Sequence, residues 1–153
     1  MPDMLVRLYA LPDPAPLYAD LAACEVTIKR VMTPNTGVMF RWIESHFSEG
    51  WAHEACSAIP HGGLFAAVRG HTILGFAAYD ATARGFFGPI GVDKDFRMDG
   101  IGRALLLRAL HAMRADGYGY AIIGGAGPQE FYRKCCGATP IPDSSPGIYS
   151  DLI

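Results

Sequence analysis

Residues 95 to 107 read DFRMDGIGRALLL. An arginine stands ahead of two glycines that flank one isoleucine, and an apolar run follows. The order Arg97-x-x-Gly100-x-Gly102 suits an anion. Glycine has no side chain, so a ligand can come close to the backbone. If the apolar run is a helix, its first turn carries N–H groups with no internal partner, and these donors with the helix dipole attract negative charge. Arg97 and Arg103 can add charge-assisted bonds to phosphate oxygens. A glycine pair serves equally well as a plain strand-to-helix turn, so the surrounding elements must decide.

Two other phosphate patterns fit less well. A P-loop needs G-x-x-x-x-G-K-[ST], and no Lys-Ser or Lys-Thr occurs in the chain. A dinucleotide fold needs G-x-G-x-x-G early in a βαβ unit. Here the loop comes late, after hairpin-linked strands.

The elements that must position the loop follow from periodicity and chain punctuation. MLVRLYAL, residues 4–11, has strand-forming character, and DPAPLYADLAACE reads as a short helix opened by proline. VTIKRVM, residues 26–32, alternates as a strand with one wet face. Thr33 and Asn35 in the turn TPNTG are available as helix caps. VMFRWIESHF places Val38, Met39, Trp42, Ile43 and Phe47 on helical spacing, and EGWAHEACSAI continues as a second short helix. LFAAVR, TILGFAAY and GFFGPIGV are strand-like, the first two joined by RGHT as a tight hairpin. Pro89 in the third cannot donate a ladder hydrogen bond, which predicts an edge or a bulge.

From Ile101 to Arg114 the spacing predicts a long helix. Ile101, Ala104, Leu105, Ala109, Ala112 and Met113 face inward, Arg103, His111 and Arg114 face outward, and Gly117 caps the end. YAIIGGAG reads as a fully buried strand, PQEFYRKCC as a short helix begun at Pro128, and GATPI and GIYSDLI as two final strands. The order predicts an α+β fold with a mixed, mostly antiparallel sheet, the long helix crossing between two parallel neighbours.

Bulk properties narrow the partners. The chain has 153 residues, 50% hydrophobic and 18% charged, with a net charge of -2. That composition is globular, and that charge exerts no long-range pull on nucleic acid or anionic lipid. No apolar run approaches the roughly 18 residues of a membrane helix. The opening residues carry Pro2, Asp3 and Pro12 where a signal peptide needs a basic end and an apolar stretch, so a cytoplasmic protein is expected. Cys24, Cys56, Cys135 and Cys136 form no C-x-x-C pair, and the five histidines are scattered, so reduced thiols and no metal are expected.

GFFGPIGVDKDFRMDGIGRALLLRAL resembles the acetyl-CoA-binding motif of the GNAT superfamily of N-acetyltransferases: strand, R-x-x-G-x-G loop, long helix. YAIIGGAGPQEFYRKCCGA resembles that family's next strand and its Phe-Tyr helix, and YDATARGFFGPIGV is similar to a bacterial subgroup of it. The resemblance implies one GNAT-like domain over residues 1–153. Residues 64–153 would form the acetyl-CoA core, 26–60 the acceptor-side strand and helices, and 1–25 an N-terminal addition. It implies a central sheet splayed at the cofactor site and flanked by helices. It also implies direct transfer of an acetyl group from acetyl-CoA to a primary amine of a small molecule or peptide, without a metal, and it allows a homodimer.

Roles carried over from the resemblance are specific. Backbone groups of Ile90, Gly91 and Val92 would bind pantetheine, one N–H polarising the thioester carbonyl. Arg97, Met98, Asp99, Gly100, Ile101, Gly102 and Arg103 would hold the pyrophosphate, and Tyr132 would protonate the leaving thiolate. Three positions depart from the family pattern. Met98 stands where glycine is common, Asp99 where a basic or small residue is common, and Gly125 about where an asparagine often contacts pantetheine. Backbone donors are unaffected by the first two, and Asp99 is expected to point outward.

No base stands out. Asp80, Glu44, Glu49 and Glu54 are candidates acting through water, Trp42 and Trp51 could wall an acceptor pocket, and Arg84 could grip an acceptor carboxylate. A non-catalytic acyl-CoA sensor or structural module of the same fold is the alternative. A nucleotide-dependent oxidoreductase is disfavoured by the loop's context.

Overall fold

The computed structural model describes residues 1–97 and 100–153. Met98 and Asp99, two of the residues expected to hold phosphate, lie outside the described residues. The strands are β1 (Met4–Arg7), β2 (Val26–Arg30), β3 (Leu64–Arg69), β4 (Thr72–Tyr79), β5 (Phe86–Val92), β6 (Tyr120–Ile123) and β7 (Thr139–Pro140). They form one mixed sheet in the order β2-β3-β4-β5-β6-β1-β7. Among the described residues five α-helices flank it: α1 (Ala15–Ala23), α2 (Thr36–His46), α3 (Glu49–Cys56), α4 (Ile101–Ala115) and α5 (Gln129–Cys136).

Both faces of the sheet are covered, and β3 shows why its sequence is apolar throughout. Side chains alternate across a strand. Phe65 and Ala67 join the core beneath α4 and α1, whereas Leu64 and Ala66 join a second core beneath α2 and α3. In α4, Leu105, Leu106, Leu107 and Leu110 are all fully buried. Burying each such side chain contributes about 1.5–3 kcal/mol. The helix is more deeply embedded than its spacing predicts, since Leu106, Leu107 and Leu110, outside the predicted stripe, are also fully buried. Ala112 is only half-buried.

Several expected boundaries move. MLVRLYAL is a strand only as far as Arg7; Leu8–Ala10 form a 3-10 turn. GATPI pairs only through Thr139 and Pro140, and GIYSDLI is a 3-10 helix at Gly147–Asp151 instead of a strand. In YAIIGGAG, Tyr120 is exposed and the strand ends at Ile123. Asn35 occupies the cap position of α2 without a side-chain cap bond. Residues 1–25, read as an addition, supply an interior strand: β1 pairs antiparallel with both β6 and β7. Met4 and Val6 are buried, so this strand is part of the core.

Candidate active site

The site begins where two parallel strands part. β5 and β6 pair only at Phe86–Ile122 and Phe87–Ile123 among the described residues. Beyond Phe87, β5 stays with β4: Ile90 is opposite Ala77, Gly91 opposite Phe76 and Val92 opposite Gly75. β6 stays with β1. At the point of parting, one residue of β4, Ala78, faces two of β5, Gly88 and Pro89. This is the bulge that Pro89 predicted, and a bulge turns a strand from its neighbour.

The gap between the strands is a cavity of about 540 Å³, within the range of small-molecule sites. Phe87 to Val92 wall one side, and Ile123 to Gly125 the other. Arg97 from the loop, Gly102 from α4, and Phe131 and Tyr132 from α5 also line it. Opposite them stand Phe47, which caps α2, and Trp51 of α3. Ser48 accepts a hydrogen bond from the Trp51 N–H at 3.1 Å, which caps α3 and fixes where Trp51 begins its turn. Phe47 and Trp51 stack at 5.4 Å with 25° between their planes. A Cβ on Gly91 would sit 2.5 Å from the Phe47 ring, so glycine is what lets this ring lie on β5.

The loop leaving β5 folds back upon it. Arg97 Nε donates to the Val92 carbonyl at 3.2 Å. Gly100 takes φ 79°, in the left-handed region, and caps α4. The first bond of the helix runs from Ala104 N–H to the Gly100 carbonyl at 3.1 Å. The N–H groups of Ile101, Gly102 and Arg103 therefore have no acceptor within the helix. A Cβ on Gly102 would lie 3.6 Å from both Phe131 and Val92, so this turn sits between the two arms of the gap. Helix donors, the positive end of the dipole and Arg97 thus meet at one end of an otherwise apolar cavity.

Tyr132 is buried, 5% exposed, with Phe87 at 6.5 Å and Phe131 at 5.2 Å edge-on. Burial pushes its pKa up to about 12, and the Cys136 and Cys135 thiols add to the effect. The phenol is protonated across the neutral range and can give a proton but not take one.

Of the residues expected at the site, Ile90, Gly91, Val92, Arg97, Gly102 and Tyr132 share this cavity. Gly100, Ile101 and Arg103 do not line it. Gly100 caps the helix beside Leu17, and Ile101 is fully buried in the core. Arg103 is exposed and lies near Cys135, whose thiol burial pushes up and the arginine charge pulls back. Phe47, Phe131 and Gly124 are lining residues that sequence reasoning did not assign. Phe47 reads as one more apolar helix position, and its partner Gly91 is 44 residues further along.

None of the four candidate carboxylates lines the cavity among the described residues. Asp80 accepts from the Gly85 N–H and the Tyr118 hydroxyl, both at 2.7 Å, and so staples the β4–β5 loop. Glu49 lies 3.6 Å from His53 on the surface, and Glu44 is exposed. Glu54 accepts from the Thr82 hydroxyl at 2.9 Å. Burial, then the charges of Glu54 and Asp3, push the Tyr149 hydroxyl upward while the Thr82 hydroxyl pulls it back, and the Tyr149 hydroxyl packs against Gly124 on the cavity wall. Glu54 is the one of the four whose charge acts on Tyr149, beside the cavity wall. Trp51 lines the cavity, while Trp42 packs among Phe76, Phe47 and His46; Arg84 is exposed. Cys24, Cys56, Cys135 and Cys136 are all free thiols, and no metal-binding group exists among the described residues. No helix among them is long and apolar enough to cross a membrane.

The model of the acetyltransferase (GNAT) family matches residues 29–138. No curated protein matches the sequence. Solved structures similar in fold include three that illustrate the range. The first is the GCN5-related glucosamine N-acetyltransferase region of a fungal multi-domain GH3 β-N-acetylglucosaminidase, with TM-score 0.75 and 13% identity. The second is a GCN5-related N-acetyltransferase from Sphaerobacter thermophilus, with TM-score 0.68 and 19% identity. Each match covers 92% of this chain but only 19% and 48%, respectively, of the other. The third is a GNAT family acetyltransferase from Brucella melitensis in complex with acetyl-CoA, with TM-score 0.57 and 17% identity, covering 71% of this chain and 80% of that one. The likeness to these structures is one of fold, and the family match spans well over half of the sequence. The chain belongs to the acetyltransferase (GNAT) family.

Proposed function

We propose that the protein transfers an acetyl group from acetyl-CoA to a primary amine of a small molecule or peptide by direct attack. The observation that carries this reading is the parting of β5 and β6 over a cavity with an anion-attracting helix start near Gly102 and a buried phenol, Tyr132. A thioester on a long arm ending in pyrophosphate suits that arrangement. Backbone groups of Ile90 to Val92 would hold the arm, and the N–H groups of Ile101 to Arg103 with Arg97 would hold the pyrophosphate. A β5 N–H would polarise the thioester carbonyl. The amine would enter past Phe47 and Trp51 and attack the carbonyl carbon. As the carbon–sulfur bond breaks, Tyr132 would give its proton to the sulfur, and the phenolate would be reprotonated from solvent. The amine nitrogen loses its own proton to Glu54, through Tyr149 or water at the rim.

A second reading, an acyl-CoA-binding module that catalyses nothing, is favoured by one observation: no carboxylate lines the cavity among the described residues. Incubation with acetyl-CoA and a panel of small-molecule and peptide amines separates the two, with thiol release and thermal shift as readouts. Thiol release dependent on an amine supports transfer. A thermal shift with no release for any amine supports the binding module, and neither signal would sink both.

A further inference from the structure

A second pocket, of about 360 Å³, lies far from the first. It is lined by Tyr18, Leu21 and Ala22 of α1, by β2 from Val26 to Ile28, and by Arg108 of α4. It shares no lining residue with the cavity at β5. In the sheet, β2 stands three strand positions from β5, roughly 14 Å away.

Its chemistry is concentrated in one side chain. Arg108 Nε is buried and has no hydrogen-bond acceptor, the only buried side-chain nitrogen or oxygen in that condition among the described residues. The ion pairs among those residues are His46–Asp93, His53–Glu49 and Arg133–Glu130, none of which includes Arg108. The guanidinium carbon sits 5.1 Å over the Phe65 ring, which fixes its position by cation–π attraction without neutralising its charge. Tyr18 is half-buried near this charge: burial pushes its hydroxyl upward and Arg108 pulls it back. Apart from Thr27 the remaining walls are apolar, with Leu21 and Val26 buried and Ile28 partly so.

We propose that this pocket binds a small monocarboxylate with an apolar body. The carboxylate would pair with the Arg108 guanidinium, whose planar donors match two carboxylate oxygens. The body would lie against Leu21, Val26 and Ile28. One cation compensates one negative charge. A phosphate monoester carries about -1.5 to -2, and two of the three α1 lining residues, Leu21 and Ala22, come from its last turn, at the negative end of its dipole. Both facts favour a single anionic charge over two.

The test uses the full chain, labelled with ¹⁵N, titrated with 3-phenylpropionate, its neutral analogue 3-phenylpropanol, and inorganic phosphate. The amide signals of Leu21, Val26, Thr27 and Ile28 are expected to shift saturably with the acid. Binding is expected at least tenfold weaker for the alcohol, and phosphate should leave these signals in place. Arg108→Met, which keeps a stem over Phe65, should weaken acid binding at least tenfold. Ala22 is exposed at the pocket mouth, so Ala22→Trp should block it and decides the matter if Arg108→Met does not fold. The proposal is overturned by equal affinity for the alcohol, by shifts with phosphate, by shifts confined to residues 88–92, by no saturable shift, or by full binding in a folded variant.

Discussion

Asp3 Oδ1 accepts a hydrogen bond from the Gly125 N–H at 2.8 Å, across 122 residues of sequence. Asp3 is the one buried charged residue among those described, 7% exposed. Its own N–H donates to Ser144 Oγ at 2.8 Å, and its carbonyl accepts from the Ile141 N–H at 2.8 Å. One residue near the start of the chain thus fastens the exit of β6, which walls the cavity, and the segment after β7.

Asp3→Ala leaves the Gly125 N–H without its acceptor. An unsatisfied buried donor costs about 1–3 kcal/mol, so urea unfolding should show a stability loss of that order. The KM for acetyl-CoA should rise as the wall at Gly125 loosens. Asp3→Asn keeps an acceptor oxygen and should lose less on both measures. Equal stability in wild type and Asp3→Ala would show that this bond is dispensable.

Gly91 and Phe47 make a pair that can be tested by a double-mutant cycle. Gly91→Ala places a methyl group where the Phe47 ring lies, 2.5 Å away, so ring or strand must shift. Overpacking of this kind costs about 1–3 kcal/mol. Phe47→Ala removes the obstacle at the expense of a cavity. The double variant should be more stable than the sum of the single losses predicts, with a coupling above 0.5 kcal/mol. Additive losses would mean that the two do not meet in solution.

Tyr132→Phe keeps the ring between Phe87 and Phe131 and removes only the hydroxyl. General acid catalysis of this type contributes about 10²–10⁴-fold, so kcat should fall within that range while the acetyl-CoA thermal shift persists. Unchanged turnover would assign the leaving-group proton to another donor.

The positions legible in the sequence are those whose chemistry is local. Pro89 announced a bulge because it lacks an N–H, and the strand–loop–helix around Gly100 and Gly102 could be read from glycine, arginine and an apolar run. Pairings made across the chain were hidden. Nothing near residue 4 says that Met4–Arg7 will lie between β6 and β7, because strand partners are set by the whole sheet. GIYSDLI has strand-like residues, yet the left-handed glycine at its start, φ 61°, opens a 3-10 turn that carries Tyr149 to Gly124. Phe47 belongs to the site through Gly91, a contact that helical periodicity does not encode.

Stability should fall at alkaline pH, and the buried acids set the window. Burial pushes Tyr132 up from 10.0 and Cys136 up from 9.0, both to about 12. Between those values the folded chain holds protons that the unfolded chain releases, so raising the pH favours unfolding. The part due to Tyr132 and Cys136 should begin near pH 9 and be complete near pH 12, and buried Tyr79, pushed up further by burial and its hydrogen bond to Asp116, carries the loss to still higher pH. Tyr132 alone accounts for roughly 2–3 kcal/mol of it. Chemical denaturation from pH 7 to 12 measures this, and Tyr132→Phe should show a shallower decline above pH 10. Identical slopes would mean that Tyr132 is not buried as a neutral phenol.

Glu54 makes the sharpest prediction about the amine. An alkyl ammonium has a pKa near 10.4, so at pH 7 attack depends on a group that removes its proton, and near pH 10 it does not. Glu54→Gln should therefore reduce kcat/KM about tenfold or more at pH 7, with the deficit shrinking as pH approaches 10. Glu54→Asp should recover part of the activity. Tyr149→Phe should show the same pH-dependent deficit if the hydroxyl beside Gly124 relays the proton, and none if water does. Because Glu54 also accepts from Thr82 at 2.9 Å, a purely structural role would lower activity by the same factor at every pH. A constant ratio across the profile, matched by Thr82→Val, would remove Glu54 from the chemistry and leave it as a brace between α3 and the β4–β5 loop.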